Sequence, residues 1–213
     1  QEYSVLTVLW HQHAADYRAL ADQAFNIARI SLDDKLAKVK LGKPAAIVVD
    51  IDETLLDNSP YNAKLVTTDE DYNSDSWKAW TDLAIADTIP GAVSFLKYAE
   101  SKGVEIFYVS NRKVREQEAT IQNLQKFGFP MADDAHFHLR SDERSKERRR
   151  TTISETHTIL LLMGDNLGDF AEIFDGGSTD DRALAVDEMR HEFGDRFIVL
   201  PNAMYGTWEG TLY

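Results

Sequence analysis

The chain has 213 residues, of which 43% are hydrophobic and 28% charged; this composition excludes disordered, collagenous and fibrous proteins and predicts one domain with at most a small insertion. Acidic residues number 36 against 23 basic ones, and the net charge of −13 argues against a nucleic-acid polymer as partner. The chain has no cysteine, which excludes disulfides and thiolate metal sites.

The first predicted element is a long amphipathic helix over residues 3–40, a stretch without proline or glycine. One face of it carries residues at alternating spacings of four and three: Leu6, Trp10, His13, Tyr17, Leu20, Ala24 and Ile27. This face can fold back onto the domain's own sheet or pair with a second copy in a homodimer, and both alternatives stay open. His11 and His13 lie on different helical faces and are not expected to chelate one ion.

Four continuous apolar runs predict strands of a parallel sheet that is buried on both faces. The first, AAIVVDID, ends as a strand at Asp50, and the others cover 104–111, 157–165 and 196–202. Helical patterns at 90–102, 113–127 and 179–193 separate them. The alternation predicts an α/β fold, a Rossmann-like parallel sheet flanked by helices.

Residues 57–88 lie between the first two strands and are too many for a simple connection. The segment is polar and aromatic, and we interpret it as a small, mainly helical cap inserted into a single domain that spans 1–213. Trp80 is expected in the core of this cap. Asp57 and Asn58 are expected only to form the turn that begins it.

Polar residues follow three of the four predicted strands: Asp50 and Asp52 the first, Ser110, Asn111 and Arg112 the second, Asp165 and Asp169 the third. The carboxyl ends of parallel strands converge on one crevice, which would therefore hold four carboxylates. Such a cluster requires a cation, and oxygen ligands without Cys or His favour Mg²⁺. For Arg112, phosphate binding and pairing with an acidic neighbour stay equally open.

The segments DIDETLLDNSPY, FYVSNRK and GDNLGDF, with a lysine between the last two, resemble the four motifs of the haloacid dehalogenase superfamily. Together with ADYRALADQAFN, WKAW, PGAVSF and FIVLPNAMYGTWEG they extend over nearly the whole chain in the order found in the class C bacterial acid phosphatases, the lipoprotein 5'-nucleotidase group. The resemblance implies a haloacid dehalogenase-like fold. It also implies a Mg²⁺-dependent acid phosphatase that hydrolyses phosphomonoesters, including nucleoside monophosphates, through an aspartyl-phosphate.

The same resemblance implies a role for each carboxylate. Asp50 would be the nucleophile and Asp52 the general acid and base. Mg²⁺ would be held by the carboxylate of Asp50, the backbone carbonyl of Asp52 and Asp165. Asp169 would orient water around the metal.

The resemblance also implies the groups that bind the substrate. Ser110 and Asn111 would hold a phosphate oxygen, and Lys146 would neutralise charge on the phosphate and the nucleophile. The choice of Lys146 depends on its spacing from Asp165, because other cations stand nearby: Arg144, Arg148, Arg149 and Arg150. Aromatic residues would line the entrance and contact the substrate: Tyr72, Trp77 and Tyr205.

The sequence leaves rival functions and the cellular location undecided. A phosphomutase or other phosphotransferase on the same scaffold is one alternative, and a non-enzymatic, receiver-like module that accepts a phosphoryl group is another. The family resemblance implies export, to the periplasm or to a lipid anchor on the outer membrane. An export signal or lipid anchor would precede Gln1 and be removed or left outside these residues.

Overall fold

Five parallel strands form the central sheet of the computed structural model, which describes residues 2–38 and 42–212. In chain order the strands are β1 (Ala45–Val49), β2 (Leu56–Asp57), β3 (Asp87–Thr88), β4 (Glu105–Lys113), β5 (Phe137–Arg140), β6 (Thr158–Gly164) and β7 (Phe197–Val199). The sheet has the order β5, β4, β1, β6, β7, with every neighbouring pair parallel. β2 and β3 form a separate antiparallel pair.

Helices cover both faces of the sheet. They are α1 (Glu2–His13), α2 (Ala15–Lys38), α3 (Ser59–Thr68), α4 (Ser74–Thr81), α5 (Ala92–Ser101), α6 (Gln117–Phe127), α7 (Glu147–Thr156) and α8 (Thr179–Glu188). Every residue of β1 is buried. Ile47 and Val49 pack with residues of α2 and α5, whereas Ala46 and Val48 pack with residues of α7 and α8. The predicted α/β fold is therefore confirmed.

The four predicted strands are confirmed as β1, β4, β6 and β7, with ends that differ by up to a few residues. Three strands were not predicted. β5 adds an edge to the sheet next to β4, and the two-residue strands β2 and β3 are too short to show a hydrophobic period.

The prediction of one uninterrupted helix over 3–40 is wrong, because the helix breaks at Ala14. α1 packs on α3, whereas α2 packs on α5, β6 and β7. The two helices therefore contact different parts of the domain. The predicted face is also partly wrong, since Leu6 is 75% exposed and Leu20 is 42% exposed. α1 and α2 carry more apolar residues than buried positions. The spacing of apolar residues alone therefore does not identify the buried face. Residues 39 and 40 lie outside the described part.

The later helices are confirmed with shifted ends. Gly91, with φ of 87°, precedes α5, which therefore begins at Ala92 and not at Pro90. A short 3₁₀ turn, Val114–Glu116, precedes α6, and α8 ends at Glu188. No helix in the described ranges combines the length and the apolar character needed to cross a membrane.

Residues 57–88, here called the cap segment, leave and rejoin the domain at the β2–β3 pair, where Leu56 pairs with Thr88 and Asp57 with Asp87. The segment contains α3 and α4. It has a small apolar cluster of its own: Tyr61, Leu65 and Trp77, with Trp80 packed against it. Its status as a cap insertion in a single domain stays a prediction.

Candidate active site

The backbone turns sharply after β1, and this turn brings two aspartates to one cavity. Asp50 still donates its N–H to the Met163 carbonyl at 2.9 Å, as a strand residue would. Glu53 then adopts a left-handed conformation, with φ of 53°, which costs roughly 1–2 kcal/mol for a residue other than glycine. The Asn58 N–H donates to Glu53 Oε1 at 2.7 Å and stabilises this turn. Asp50 and Asp52 consequently line the same cavity.

Lys146 contacts two of the buried aspartates. It precedes α7, and its side chain is only 5% exposed. The ammonium Nζ lies 2.5 Å from Asp50 Oδ1 and 2.6 Å from Asp169 Oδ1. Burial would lower the pKa of Lys146, but the charges and hydrogen bonds of Asp169 and Asp50 raise the pKa above its ordinary value. Lys146 is therefore a fixed positive charge in the site.

Carboxylate oxygens of Asp50, Asp165 and Asp169 all lie within 4.8 Å of one another. Asp165 Oδ2 accepts hydrogen bonds from the side-chain amides of Asn166 and Asn202, both at 2.7 Å. These bonds orient Asp165 toward the other two carboxylates. The cluster could hold a divalent metal ion, because its three carboxylates supply the oxygen ligands that hard cations prefer.

The charge balance of this cluster also fits a cation. Burial raises the pKa of Asp165 well above its ordinary value, and the charges of Asp169 and Asp50 raise it further. Burial likewise raises the pKa of Asp50, although Lys146 opposes the effect. Two buried carboxylates and the half-buried Asp165 thus share one ammonium, and an added divalent charge would relieve their mutual repulsion.

Asp52 lies apart from that cluster and is held by Arg112. Arg112 Nε lies 3.0 Å from Asp52 Oδ1, and Arg112 Nη2 lies 2.8 Å from the same oxygen. Arg112 is buried, and its Nη1 donates to the Thr120 hydroxyl at 3.0 Å. Of the two alternatives left open by the sequence, the structure therefore shows pairing with an acidic neighbour, and that neighbour is Asp52.

Asn58 connects Asp52 to the cap segment. Its Nδ2 donates to Asp52 Oδ1 at 2.9 Å, and its Oδ1 accepts from Trp80 Nε1 at 2.8 Å. Asn58 precedes α3, at the turn expected from the sequence, and its side chain in addition reaches the aspartate. Trp80, expected in the core of the cap segment, is half-buried there and also carries this polar contact.

The end of β4 presents Ser110 and Asn111, and Arg149 holds both. Arg149 Nη1 donates to the Ser110 carbonyl at 2.6 Å, and Nη2 donates to Asn111 Oδ1 at 2.7 Å. Ser110 Oγ accepts the N–H of Arg112 at 3.1 Å. These bonds fix a polar corner of the cavity opposite the carboxylates.

The cavity measures about 800 Å³, and all ten predicted site residues line it. They are Asp50, Asp52, Tyr72, Trp77, Ser110, Asn111, Lys146, Asp165, Asp169 and Tyr205. Among the aromatic residues, Trp77 is buried, Tyr72 is 61% exposed, and the Tyr205 hydroxyl is buried without a hydrogen-bond partner. The structure brings these residues together, and their roles stay predictions.

Sequence reasoning missed three residues that hold the site: Asn58, Arg149 and Asn202. Asn58 was identified inside the first motif but interpreted as a turn residue, and Arg149 was one of several neighbouring arginines. Asn202 contacts Asp165 across 37 positions of sequence. Only its location after the last strand could have singled it out, because carboxyl ends of neighbouring strands share one edge.

The chain is similar to a protein-family model and to solved structures. The family model described as HAD superfamily, subfamily IIIB (Acid phosphatase), matches residues 1–208. The crystal structure of the class C acid phosphatase from Bacillus anthracis is 46% identical, with a TM-score of 0.96 over all of this chain and 89% of that one. A second structure of that protein, with tungstate bound, gives the same values.

A curated relative, acid phosphatase 1 of Solanum lycopersicum, is 25% identical over 129 residues, which are 57% of this chain and 50% of that protein. The chain thus matches half of the length of this relative. The resemblance, the haloacid dehalogenase-like fold and the phosphomonoesterase class are confirmed at the level of the family. The chain belongs to subfamily IIIB of the haloacid dehalogenase superfamily, the acid phosphatases.

Proposed function

We propose that this protein is a Mg²⁺-dependent acid phosphatase that hydrolyses phosphomonoesters through an aspartyl-phosphate on Asp50. The observation that carries the proposal is the contact of Lys146 with both Asp50 and Asp169, beside an Asp52 that Arg112 holds. This arrangement places Asp50 beside Lys146, where it could attack phosphorus, and holds a second carboxylate, Asp52, in the same cavity, where it could exchange a proton with the substrate.

The proposed reaction has two steps, and Asp52 transfers a proton in each. An oxygen of Asp50 attacks phosphorus and forms the O–P bond, while the bond to the ester oxygen breaks and Asp52 donates a proton to that oxygen. In the second step Asp52 takes a proton from a water molecule, which attacks phosphorus and releases inorganic phosphate and Asp50. Lys146, Ser110 and Asn111 stabilise the charge on the phosphate oxygens.

Asp50, Asp165 and the backbone carbonyl of Asp52 would hold the Mg²⁺, and Asp169 would orient the water around it. When bound, the ion supplies positive charge that offsets the phosphate oxygens and the clustered carboxylates. Mg²⁺ is proposed over Zn²⁺ because this cluster offers carboxylates and no histidine.

The cavity walls support a substrate with an aromatic group. Tyr72 and Trp77 from the cap segment and Tyr205 from the C-terminal region line the same cavity as Asp50, and aromatic faces stack on any nucleobase. We therefore include nucleoside monophosphates among the substrates. The tungstate in the Bacillus anthracis structure, a tetrahedral oxyanion, supports the choice of phosphate esters.

The test is phosphate release from p-nitrophenyl phosphate and from nucleoside monophosphates, with Mg²⁺ and with a chelator, for the parent and Asp50→Asn. We expect release that requires metal and is lost in Asp50→Asn, and a phosphorylated chain trapped by acid only in the parent. Asp180→Asn, at an exposed aspartate, is the matched control. Undiminished release from Asp50→Asn would contradict the proposal.

The same assay separates the alternatives. Multiple turnovers with free phosphate as product support the phosphatase. One phosphoryl group retained per chain, without turnover, would indicate a receiver-like module. Transfer of the phosphoryl group to an added alcohol or sugar without release would indicate a phosphotransferase or a mutase.

Export, with a periplasmic location or a lipid anchor on the outer membrane, remains a proposal that follows the family resemblance. A homodimer remains a proposal that follows the residue spacing on the face of the N-terminal helical region. Cell fractionation of the full-length gene product tests the first, and size-exclusion chromatography with light scattering tests the second. Cytoplasmic recovery of the mature protein would contradict the proposed location.

A further inference from the structure

A second group of metal-ligating side chains lies between α1 and the base of the cap segment. Ligand atoms of His11, Glu53 and Asp57 all lie within 4.8 Å of one another. None of these residues belongs to the cluster of Asp50, Asp165 and Asp169, and the proposed hydrolysis uses none of them. His11 comes from α1, Glu53 from the turn after β1, and Asp57 from β2.

His11 is buried and lacks a hydrogen-bond partner. The residue is 4% exposed, and neither ring nitrogen makes a hydrogen bond in the described structure. Its Nε2 lies 3.3 Å from Asp57 Oδ1, a distance that fits an ion pair although the geometry does not form a hydrogen bond. The Tyr17 ring packs against the imidazole with a centroid separation of 3.9 Å. Nδ1 of this buried imidazole has no partner among the described residues, and Nε2 has only the contact with Asp57. An incompletely satisfied buried imidazole is unfavourable, so the position calls for a ligand.

Tyr17 gives a second indication of the same kind. Its hydroxyl is buried, and it too has no hydrogen-bond partner in the described structure. Asp57 and Glu53 are close enough for their charges to raise the pKa of Tyr17, in addition to the effect of burial. Among the described residues, a phenol without a hydrogen-bond partner thus adjoins an imidazole whose Nδ1 is unsatisfied, and two carboxylates.

The carboxylates of this group are only partly satisfied by the protein. Glu53 is fully buried, and its Oε1 accepts the Asn58 N–H at 2.7 Å. Asp57 Oδ1 accepts the Ser59 N–H at 2.8 Å. Each carboxylate therefore keeps acceptor capacity for a further partner.

We propose that His11, Glu53 and Asp57 form a second cation site, separate from the catalytic cluster, for a transition metal ion such as Zn²⁺ or Co²⁺. One imidazole nitrogen and two carboxylates match the ligands of these ions, whereas Mg²⁺ prefers oxygen ligands alone. The bound ion would join α1 to the turn after β1 and to the base of the cap segment. It would also satisfy the His11 imidazole, which makes no hydrogen bond in the described structure.

The experiment uses Co²⁺ as a spectroscopic probe in the presence of excess Mg²⁺, which competes for the carboxylate cluster. We expect the parent to develop visible Co²⁺ absorption with one ion bound per chain. His11→Gln should bind Co²⁺ at least about tenfold more weakly. His13→Gln, an exposed histidine two residues along the same helix, is the matched control and should bind as the parent does.

A stability measurement guards against a misfolded variant. Zn²⁺ should raise the Tm of the parent and of His13→Gln by binding the folded state, and should not raise that of His11→Gln. If His11→Gln loses its circular dichroism spectrum, Asp57→Asn replaces it. Equal Co²⁺ binding by the parent and His11→Gln, or none by the parent, would overturn the proposal. Neither outcome bears on phosphate release, so this site and the proposed function fail separately.

Discussion

Arg112 determines the surroundings of Asp52 through the planar shape of its guanidinium group. Two of its nitrogens contact Asp52 Oδ1 while a third reaches Thr120. A lysine at this position would keep the charge but would contact the carboxylate with a single ammonium. The orientation of Asp52 thus depends on the fork of the arginine and not on charge alone.

We expect Arg112→Lys to lower kcat for p-nitrophenyl phosphate by about 10²-fold, the contribution typical of a positioned general acid, with a smaller change in KM. The pH profile of kcat should also shift, because Arg112 acts through the proton exchange of Asp52. Steady-state kinetics across pH measure both effects.

Arg148→Lys is the control for this prediction, since the Arg148 side chain is 80% exposed. Its kcat should equal that of the parent. A parent-like kcat and pH profile in Arg112→Lys would show that the guanidinium fork does not position Asp52.

The end of β6 requires glycine for a steric reason. A Cβ on Gly164 would lie 2.4 Å from Asp169 Cβ and 2.2 Å from Asp169 Oδ2. Asp169 also accepts the Asn166 N–H at 2.9 Å and contacts Lys146 at 2.6 Å. Any side chain at this strand end would therefore displace the aspartate and the lysine contact.

Gly164→Ala should lower kcat by at least about tenfold, because displacement of Asp169 alters groups around the proposed metal. Kinetics at increasing Mg²⁺ concentrations measure the effect, and we expect a higher Mg²⁺ requirement than in the parent. Gly42→Ala is the control, as a Cβ there meets nothing within 4 Å. Parent-like Mg²⁺ dependence in Gly164→Ala would contradict this account.

The edge strand β5 places His138 next to positive charge. Burial lowers the pKa of His138, and the charges of Arg149 and His136 lower it further. In an unfolded chain the pKa is about 6.5. The folded-state pKa of His138 is lower than this unfolded-state value, so at a pH between them the unfolded state binds more protons than the folded state. Lowering the pH from about 7 therefore favours unfolding.

The Tm of the parent should fall as the pH is lowered from about 7 to about 5. We expect the Tm of His138→Gln to fall less over this range, because the variant lacks this titrating group. Differential scanning calorimetry at several pH values measures it. His191→Gln, whose side chain is 70% exposed, should keep the parent's dependence. Identical pH dependence in the parent and His138→Gln would contradict the prediction.

Elements with a strong local pattern could be predicted from sequence. β1, β4 and β6 are continuous apolar runs, and their polar ends identified Asp50, Ser110 and Asp165. β5 was missed as a strand of the sheet because FHLR is short and half polar. The break at Ala14 was missed because helical spacing continues through it. Contacts such as Arg112 with Asp52, 60 positions apart, depend on strand order, which no local pattern contains.

At the scale of the whole molecule, two apolar layers sandwich the sheet. The layer on the side of α7 and α8 contains Phe174, which is fully buried.

We expect Phe174→Ala to lower the free energy of unfolding by about 3–5 kcal/mol, the range for loss of a buried phenylalanine. Urea denaturation measures the change. Ile173→Ala, at a neighbouring side chain that is 47% exposed, should cost far less, and equal costs would contradict the assignment.

The cavity carries charges of both signs within an acidic molecule. The net charge is −13, and the cavity is lined by five cations (Arg112, Arg140, Arg144, Lys146 and Arg182) beside six acidic residues (Asp50, Asp52, Asp165, Asp169, Asp175 and Glu209). A small anion can reach the cations within a recess, whereas a polyanion would meet the acidic exterior first. This contrast agrees with the small phosphate substrates of the family.

The β2–β3 pair has a consequence for how such proteins diversify. The chain departs and returns through two adjacent backbones, paired at Leu56 with Thr88 and at Asp57 with Asp87, and the Ile89 N–H donates to the Leu55 carbonyl at 2.9 Å. Facing residues of such a pair are about 5 Å apart, whatever lies between them. Loops of other lengths that keep Asn58, which contacts Asp52, can therefore be inserted between these paired backbones without moving the strands below. The walls of the cavity can thus change while the carboxylates at the strand ends stay in place.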